Sequence, residues 1–315
     1  MSYTVKIKEE ISEIKNTRSE LIAELSGYFR NNGNVSKDYI TTTTENKFIV
    51  DRIVESIKNI YNIEPNVEII ENLNFSKNDL YQIKVKINDN IFLQDLGIVD
   101  KENNYIDTVP NYIVGGNEEI RGYLRGVFLS TGSINDPKKS RYHMELLVQN
   151  SSEAVFIQKL LNLFDLNAKI LNREKGFMIY IKEAEKISDF IKILGANKAV
   201  LYFEDVRIYR DQKNKTNRLN NCEQANIDKV IQTAASQLEQ IQIIEDNDGT
   251  MLLDDKTKEA LDYRKKYPEA SLKELAEIIS LETNKSITKS GLNHRMRKIK
   301  ELAENLEKLA NNNKE

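Results

Sequence analysis

The chain has 315 residues, of which 40% are hydrophobic and 30% are charged, and its formal net charge is −3. These values are ordinary for a soluble globular protein of about two domains. No apolar run of about 18 residues occurs, and the charged N-terminus MSYTVKIKEEISEIK lacks the apolar core of a secretory signal. The sequence therefore predicts neither a membrane span nor an export signal.

Histidine and cysteine are too few to build the common structural metal and disulfide sites. The chain has one cysteine, Cys222, and two histidines, His143 and His294. This set excludes a disulfide framework and a four-ligand zinc site. We therefore expect a protein of the reducing cytoplasm, and we predict no cofactor, no metal and no small-molecule ligand.

Two segments of the chain resemble each other. Residues 25–33 read LSGYFRNNG and residues 124–132 read LRGVFLSTG, so both carry Leu at the first place, Gly at the third, Phe at the fifth and Gly at the ninth. A polar stretch typical of a helix start precedes each copy, at Thr17 and at Gly116. The match indicates an internal duplication.

The elements that follow the two copies also correspond. After the first copy, periodicity predicts a strand at 39–44, a helix at 47–62, and strands at 67–70 and 81–87. After the second, it predicts a strand at 142–149, a helix at 152–164, strands at 168–171 and 177–181, and a helix at 184–194. We predict an α+β body of two helix-strand-strand-helix halves with curved antiparallel sheets.

A glycine lies inside each repeated helix, at Gly27 and Gly126. Glycine in a helix interior costs about 1 kcal/mol against alanine. We therefore expect the two helices to approach closely and to cross at a pseudo-twofold axis.

A basic segment follows the body. It contains Arg207, Arg210, Lys213, Lys215 and Arg218 against a single acid, Asp211. The segment is either a solvated linker or a strip that neutralises phosphates, and composition leaves both interpretations open.

A helix is predicted after this segment, at residues 225–244. Its apolar residues recur at helical period and predict the first core helix of the next domain. They are Ile227, Val230, Ile231, Ala234, Leu238, Ile241 and Ile244. We expect Cys222 to pack at the start of this helix.

The C-terminal region has the pattern of a helix-turn-helix. Ser271 and Glu274 fit a capping box before an apolar stripe that runs from Leu272 to Ile279. A break at 281–287 follows, and Thr288 is a suitable N-cap for a second helix. The core side of that helix is predicted to hold Leu292, Met296, Ile299 and Ala303.

A different face of this second helix is basic and polar. Lys289, Asn293 and Arg297 fall four residues apart on one face, with Ser290 and His294 beside them. Lysine and arginine contact phosphates or guanine, and asparagine pairs with adenine in the major groove. We predict that DNA is bound by this helix together with the basic segment. The predicted contacts are Lys285, Lys289, Ser290, Asn293, His294, Arg295, Arg297, Lys298, Arg207, Arg210, Lys213, Lys215 and Arg218.

The duplicated motif resembles that of the LAGLIDADG homing endonucleases. In that family the eighth motif residue of each copy is an acid, and the two acids bind a divalent metal for DNA cleavage. The corresponding residues here are Asn32 and Thr131, which supply no negative ligand. Asp38 and Asp136 follow a few residues later, away from the helix ends. We therefore predict no catalytic residues and no enzyme activity.

Three longer segments, at residues 121–150, 206–229 and 288–304, resemble the WhiA family of bacterial regulators. The stretch NRLNNCEQAN at 217–226 is the most specific of these matches. The resemblance implies a degenerate LAGLIDADG-like body joined to an all-α helix-turn-helix domain. It also implies a role in cell division, chromosome segregation or sporulation-linked transcription, at the nucleoid.

These observations predict a body at residues 1–204, with halves at about 1–110 and 111–204. A basic linker at 205–224 and a helix-turn-helix domain at 225–311 follow. The leading hypothesis is a non-catalytic protein that binds double-stranded DNA, and a protein partner in transcription or division is a further expectation. Two alternatives remain open: an active LAGLIDADG-type homing endonuclease, and a protein-interaction scaffold with secondary DNA binding.

Overall fold

The structure is a computed structural model that describes residues 2–70, 79–87, 91–139 and 141–312. Residues 71–78 and 88–90 of the predicted first half, and Ser140 of the segment 121–150, lie outside the described residues. The chain forms two compact units, Met1–Asp211 and Gln212–Glu315.

The first half of the first unit is built around one antiparallel sheet. Its elements are α1 (Tyr3–Ser12), α2 (Arg18–Asn32), β1 (Asn34–Val35), β2 (Tyr39–Thr44), α3 (Lys47–Tyr61), β3 (Asn66–Ile70), β4 (Leu80–Lys86) and α4 (Ile91–Asp95). The strands lie in the order β1-β2-β4-β3. Helix α2 begins with a capping box between Thr17 and Glu20.

The second half repeats this order of elements. They are α5 (Asn117–Thr131), β5 (Gly132–Ile134), β6 (Met144–Val148), α6 (Ser151–Leu163), β7 (Lys169–Arg173), β8 (Gly176–Ile181) and α7 (Ala184–Leu194). Its strands lie in the order β5-β6-β8-β7, the same arrangement as in the first sheet. The predicted duplication and the α+β class of the body are therefore confirmed. The short helices α1 and α4 have no counterpart in the sequence prediction.

Helices α2 and α5 pack directly against each other through their glycines. A Cβ atom on Gly27 would overlap the Tyr123 carbonyl oxygen, and one on Gly126 would overlap the Glu24 carbonyl oxygen. A Cβ on Gly122 would lie 2.6 Å from the Glu20 carbonyl oxygen. The close helix crossing predicted from Gly27 and Gly126 is confirmed.

Buried charges tie the α2–α5 pair to its neighbours. Glu24 on α2 accepts from Arg52 Nε of α3 at 2.8 Å and lies 3.6 Å from Arg125 Nε of α5. These side chains are largely buried, so removing one partner would leave an uncompensated charge in the protein interior. The network therefore holds the two halves in one register.

A second network lies elsewhere along the same helix pair. Arg30 Nε on α2 is 3.2 Å from Glu153 Oε2 on α6, and Glu153 also accepts from the Tyr123 hydroxyl of α5. Arg30 further donates to the carbonyl oxygens of Gly97 and Ile106. One arginine thus joins α2 to the second half and to the segment that follows α4.

One helix, α8 (Asn197–Asp246), contains the whole predicted linker at 205–224. The predicted helix start at residue 225 is therefore wrong. No glycine or proline interrupts residues 197–246, so nothing in this stretch breaks the helical hydrogen bonding.

One packing prediction for α8 is wrong, and the predicted core stripe is confirmed only in the later part of the helix. Cys222 is exposed rather than packed. Ile227 and Ile231 are 52% and 54% exposed, and the stripe is buried only at Ala234, Ile241 and Ile244. Burial begins where the other helices of the second unit reach α8, which the periodicity of one helix does not reveal.

Three more helices complete the second unit. They are α9 (Asp255–Lys266), α10 (Leu272–Thr283) and α11 (Lys289–Asn312). Their core includes Leu261, Leu275, Ile279, Leu292 and Ile299. Helix α9 has no counterpart in the sequence prediction, and α10 ends at Thr283, three residues after the predicted end at Ser280. No helix among the described residues is long and apolar enough to cross a membrane.

Replacing Gly126 with alanine tests the close helix approach. We expect Gly126→Ala to destabilise the first unit by roughly 1–3 kcal/mol or more, because the added methyl meets backbone atoms that cannot rotate away. Gly291→Ala is the matched control, since its Cβ would meet only Thr288 Oγ1 at 3.4 Å. Thermal unfolding followed by circular dichroism measures both, and equal midpoints for the two variants would contradict the packing described.

Because Lys8 is buried, we expect the stability of the fold to depend on pH. It is 8% exposed, and its Nζ donates to the Leu129 carbonyl oxygen at 3.0 Å. Burial lowers the pKa of Lys8 from its ordinary value of 10.5 to about 8. Between these values the unfolded chain binds more protons than the folded chain, so folding becomes more favourable as pH rises.

We therefore expect the free energy of unfolding of the wild type, relative to Lys8→Met, to increase between about pH 8 and about pH 10. Urea unfolding of both proteins at several pH values measures it. Lys175→Met, at an exposed lysine, controls for the loss of one surface charge. If the free energy of unfolding of the wild type, relative to Lys8→Met, stays constant or falls between about pH 8 and about pH 10, the lowered pKa of Lys8 is contradicted.

Candidate nucleic-acid interface

Helix α11 is positioned by its apolar face and by its N-cap. Leu292, Met296, Ile299 and Ala303 are all buried, as predicted. The Thr288 hydroxyl oxygen accepts a hydrogen bond from the Gly291 N–H at 3.1 Å, which confirms the predicted N-cap. The rotation of α11 about its axis is therefore fixed.

Helix α10 is capped as predicted. Ser271 Oγ accepts from the Glu274 N–H at 3.2 Å, and Glu274 Oε2 accepts from the Ser271 N–H at 2.8 Å. Residues 284–288 connect α10 to α11, and Asn284 ends α10 in the left-handed conformation at φ 55°. The two ends of the turn are thus defined by local hydrogen bonds and backbone geometry.

The predicted DNA-contacting residues at 285–298, in α11 and the turn before it, fall into three groups by position. The first group faces away from the core and is exposed. It comprises Ser290 and His294.

The second group faces α8 across two grooves. Lys289 lines one groove with Lys229 and Thr233 of α8. Asn293 and Arg297 line the other, opposite Ser236 and Gln240 of α8. Lys289 and Arg297 form no ion pair with any residue that the structure describes. These two cations are therefore available to an anionic ligand.

The third group is paired with acids. Glu259 of α9 lies 3.5 Å from Lys285 Nζ and 3.3 Å from Arg295 Nη1. Asp254, the N-cap of α9, accepts from Lys298 Nζ at 2.8 Å, and this contact lowers the pKa of Asp254. The acid-free run at 285–300 thus has acidic neighbours in space, which the sequence pattern did not reveal because they lie far away in the chain.

The basic segment in α8 divides in a similar way. Arg207 pairs with Glu204 and Glu185, and Arg210 Nη1 donates to the Pro137 carbonyl oxygen at 2.7 Å. Both arginines therefore have contacts within the first unit. Lys213, Lys215 and Arg218 are exposed.

The two positions that carry acids in LAGLIDADG endonucleases are occupied by locally bonded side chains. Asn32 Nδ2 donates to the Thr43 carbonyl oxygen at 3.0 Å, and Thr131 Oγ1 donates to the Val127 carbonyl oxygen at 3.3 Å. Asp136, further along, accepts from the Lys138 N–H at 2.9 Å. Within the described ranges, no three His, Cys, Asp or Glu residues are grouped so as to hold a metal ion.

Comparisons with known proteins match both units. The WhiA N-terminal LAGLIDADG-like domain matches residues 18–99, the WhiA LAGLIDADG-like domain matches 120–213, and the WhiA C-terminal HTH domain matches 216–303. The "Probable cell division protein WhiA" of Enterococcus faecalis is 40% identical over 310 residues, which cover 97% of this chain and 98% of that protein. The protein of the same name from Staphylococcus epidermidis is 41% identical over the same length and coverage.

The fold also matches a solved structure. Full-length DUF199/WhiA from Thermatoga maritima superposes with a TM-score of 0.58 and 23% identity, covering 97% of this chain and 99% of that one. Fold and comparisons together define a class of protein in which a duplicated LAGLIDADG-like body precedes a helical helix-turn-helix domain. The chain belongs to the WhiA family.

Proposed function

We propose that this protein binds double-stranded DNA without cleaving it, and that α11 makes the principal contact. One observation carries the proposal. The first turns of α11, which follow the capped helix α10, present Lys289, Asn293 and Arg297. Lys289 and Arg297 are cations without an ionic partner among the described residues, and Asn293 supplies an amide. This combination suits phosphate contact and base reading in a major groove.

The absence of cleavage is part of the proposal. Divalent metal ions used for phosphodiester hydrolysis are held by carboxylates. Asn32 and Thr131 offer none, and both side chains are engaged with backbone carbonyl oxygens. These contacts support a body that keeps the LAGLIDADG-like scaffold without its metal ligands.

The names of the relatives support a proposed cellular role. Two proteins about 40% identical to this chain bear the name "Probable cell division protein WhiA". We propose that this chain acts in cell division at the nucleoid. Chromosome segregation and sporulation-linked transcription are the narrower roles to test.

An exposed apolar row on the second sheet favours a protein partner as well. Leu147 of β6 and Leu171 of β7 both pair in register with Met178 of β8. They are 41% and 49% exposed. An apolar row of this kind suits a polypeptide better than a phosphate backbone. If the wild type binds no duplex DNA in the assay below, the interaction-scaffold alternative is favoured.

Two substitutions in α11 test the DNA contact. We expect Arg297→Ala and Asn293→Ala each to weaken binding to a genomic site by about 1–3 kcal/mol, because each removes one base contact. Lys308→Ala, at an exposed lysine near the far end of the same helix, is the matched control and should bind as the wild type does. Fluorescence anisotropy with labelled duplexes measures the affinities.

Two results would contradict the proposal. Unchanged affinity and sequence preference in both α11 variants would place DNA elsewhere. Reproducible site-specific nicks in a genomic fragment library with Mg²⁺ or Mn²⁺ would show an active nuclease.

A substitution at Glu259 is expected to strengthen DNA binding, whereas the two α11 substitutions weaken it. We expect Glu259→Gln to strengthen DNA binding at low salt and to make its salt dependence steeper, because Lys285 and Arg295 lose their shared carboxylate. Glu307→Gln removes the same charge from an exposed position later in α11 and serves as the control. Equal affinities for the two variants would show that Lys285 and Arg295 do not face DNA.

A further inference from the structure

A basic cavity lies within the second unit, beside the start of α10. It has a volume of about 220 Å³ and is formed by α8, α9, the first residues of α10 and the first residue of α11. Four of its lining residues are cations: Lys229, Arg264, Lys273 and Lys289. No carboxylate lines it. The cavity is therefore suited to an anion.

Arg264 is the unusual member of this set. The residue is 1% exposed, so its charge lies inside the protein. Its Nη1 donates to the carbonyl oxygens of Ala270 at 2.6 Å and Tyr267 at 3.3 Å, whereas its buried Nε has no acceptor.

No carboxylate compensates this guanidinium among the described residues, and burial lowers the pKa of Arg264. A buried cation without a negative partner is costly. An anion in the cavity would offset that cost.

The start of α10 adds directed donors. Ser271 is the N-cap, and within the described part of the chain no acceptor lies against the N–H groups of Leu272 and Lys273. Free N–H groups and the helix dipole make a helix N-terminus attractive to anions. Glu274 already covers the Ser271 N–H, so the remaining donors are those of the next two residues.

We propose that this cavity binds a phosphate group, held by the Leu272 and Lys273 N–H groups and by the charges of Lys229, Lys273 and Arg264. A tetrahedral phosphate has several acceptor oxygens, which match donors converging from three helices. Two sources share this chemistry: the backbone of bound DNA and a free phosphorylated ligand. The DNA source rests on the function proposed above, whereas the cavity itself does not.

The DNA source is tested through the salt dependence of binding. We expect Lys229→Gln and Lys273→Gln, each made in the full chain, to weaken DNA binding. For each variant the loss of affinity should be the same for every duplex sequence. Each should also reduce the slope of log affinity against log salt by about one. Lys308→Gln, an exposed lysine elsewhere in the unit, removes the same charge and is the control.

The cavity is tested without DNA by titrating the full chain with inorganic phosphate against sodium chloride of equal ionic strength. In amide-resolved NMR spectra we expect the Leu272 and Lys273 signals to shift in the wild type and in Lys308→Gln. The same signals should not respond in Lys229→Gln. This readout is independent of any DNA-binding activity.

The outcomes separate the two proposals. A reduced salt slope identifies the DNA backbone as the source, and an amide response without a slope change identifies a free phosphate ligand. If neither differs from the Lys308→Gln control, the cavity proposal is overturned. If the wild type binds no duplex, the proposed function fails and the phosphate titration still decides the cavity.

Discussion

The first unit depends on the contact between α2 and α5, where glycines let two helix backbones approach more closely than any side chain would allow. This approach sets the positions of both sheets, because each sheet packs on a helix that follows one of the two: α3 contacts β4, and α6 contacts β8. Glu24 and Arg30 then meet partners from the opposite half and fix the register with buried charge. Removing either the glycines or the charges would affect both halves together.

The same contact has a consequence for function. It brings together a duplicated scaffold whose eighth motif positions are Asn32 and Thr131. Both side chains bond to backbone oxygens and so serve local structure. The architecture is therefore kept while the groups that would hold a metal ion are absent from these positions. The proposed DNA contacts lie instead in the second unit, on α11 and the grooves beside it.

Most elements were predictable because their signals are local. Alternating and helical periodicity located the strands and the longer helices of the body, and the caps at Ser271 and Thr288 followed from residue type alone. The basic composition of residues 205–224 suggests a linker, whereas α8 continues through them because no glycine or proline interrupts the helix. The family resemblance supplied the domain order that periodicity could not.

The electrostatics of the candidate site were less predictable. Glu259 and Asp254 neutralise three of the expected DNA-contacting cations from a helix that the sequence did not indicate. Arg264 gave no signal, because a lone arginine in a charged helix appears solvated until its burial is known. Pairing and burial of charges depend on contacts distant in sequence, and residue spacing carries no information about them.

Hydrogen exchange of backbone amides, measured by mass spectrometry on the full chain with and without bound duplex DNA, tests whether α11 makes the principal DNA contact. We expect slowed exchange in two regions. The first is residues 286–298, which cover the start of α11, and the second is residues 229–240, the part of α8 that faces it. The amides at the α2 and α5 termini should be unchanged. Protection confined to those termini or to the two sheets, with none in α11, would contradict it.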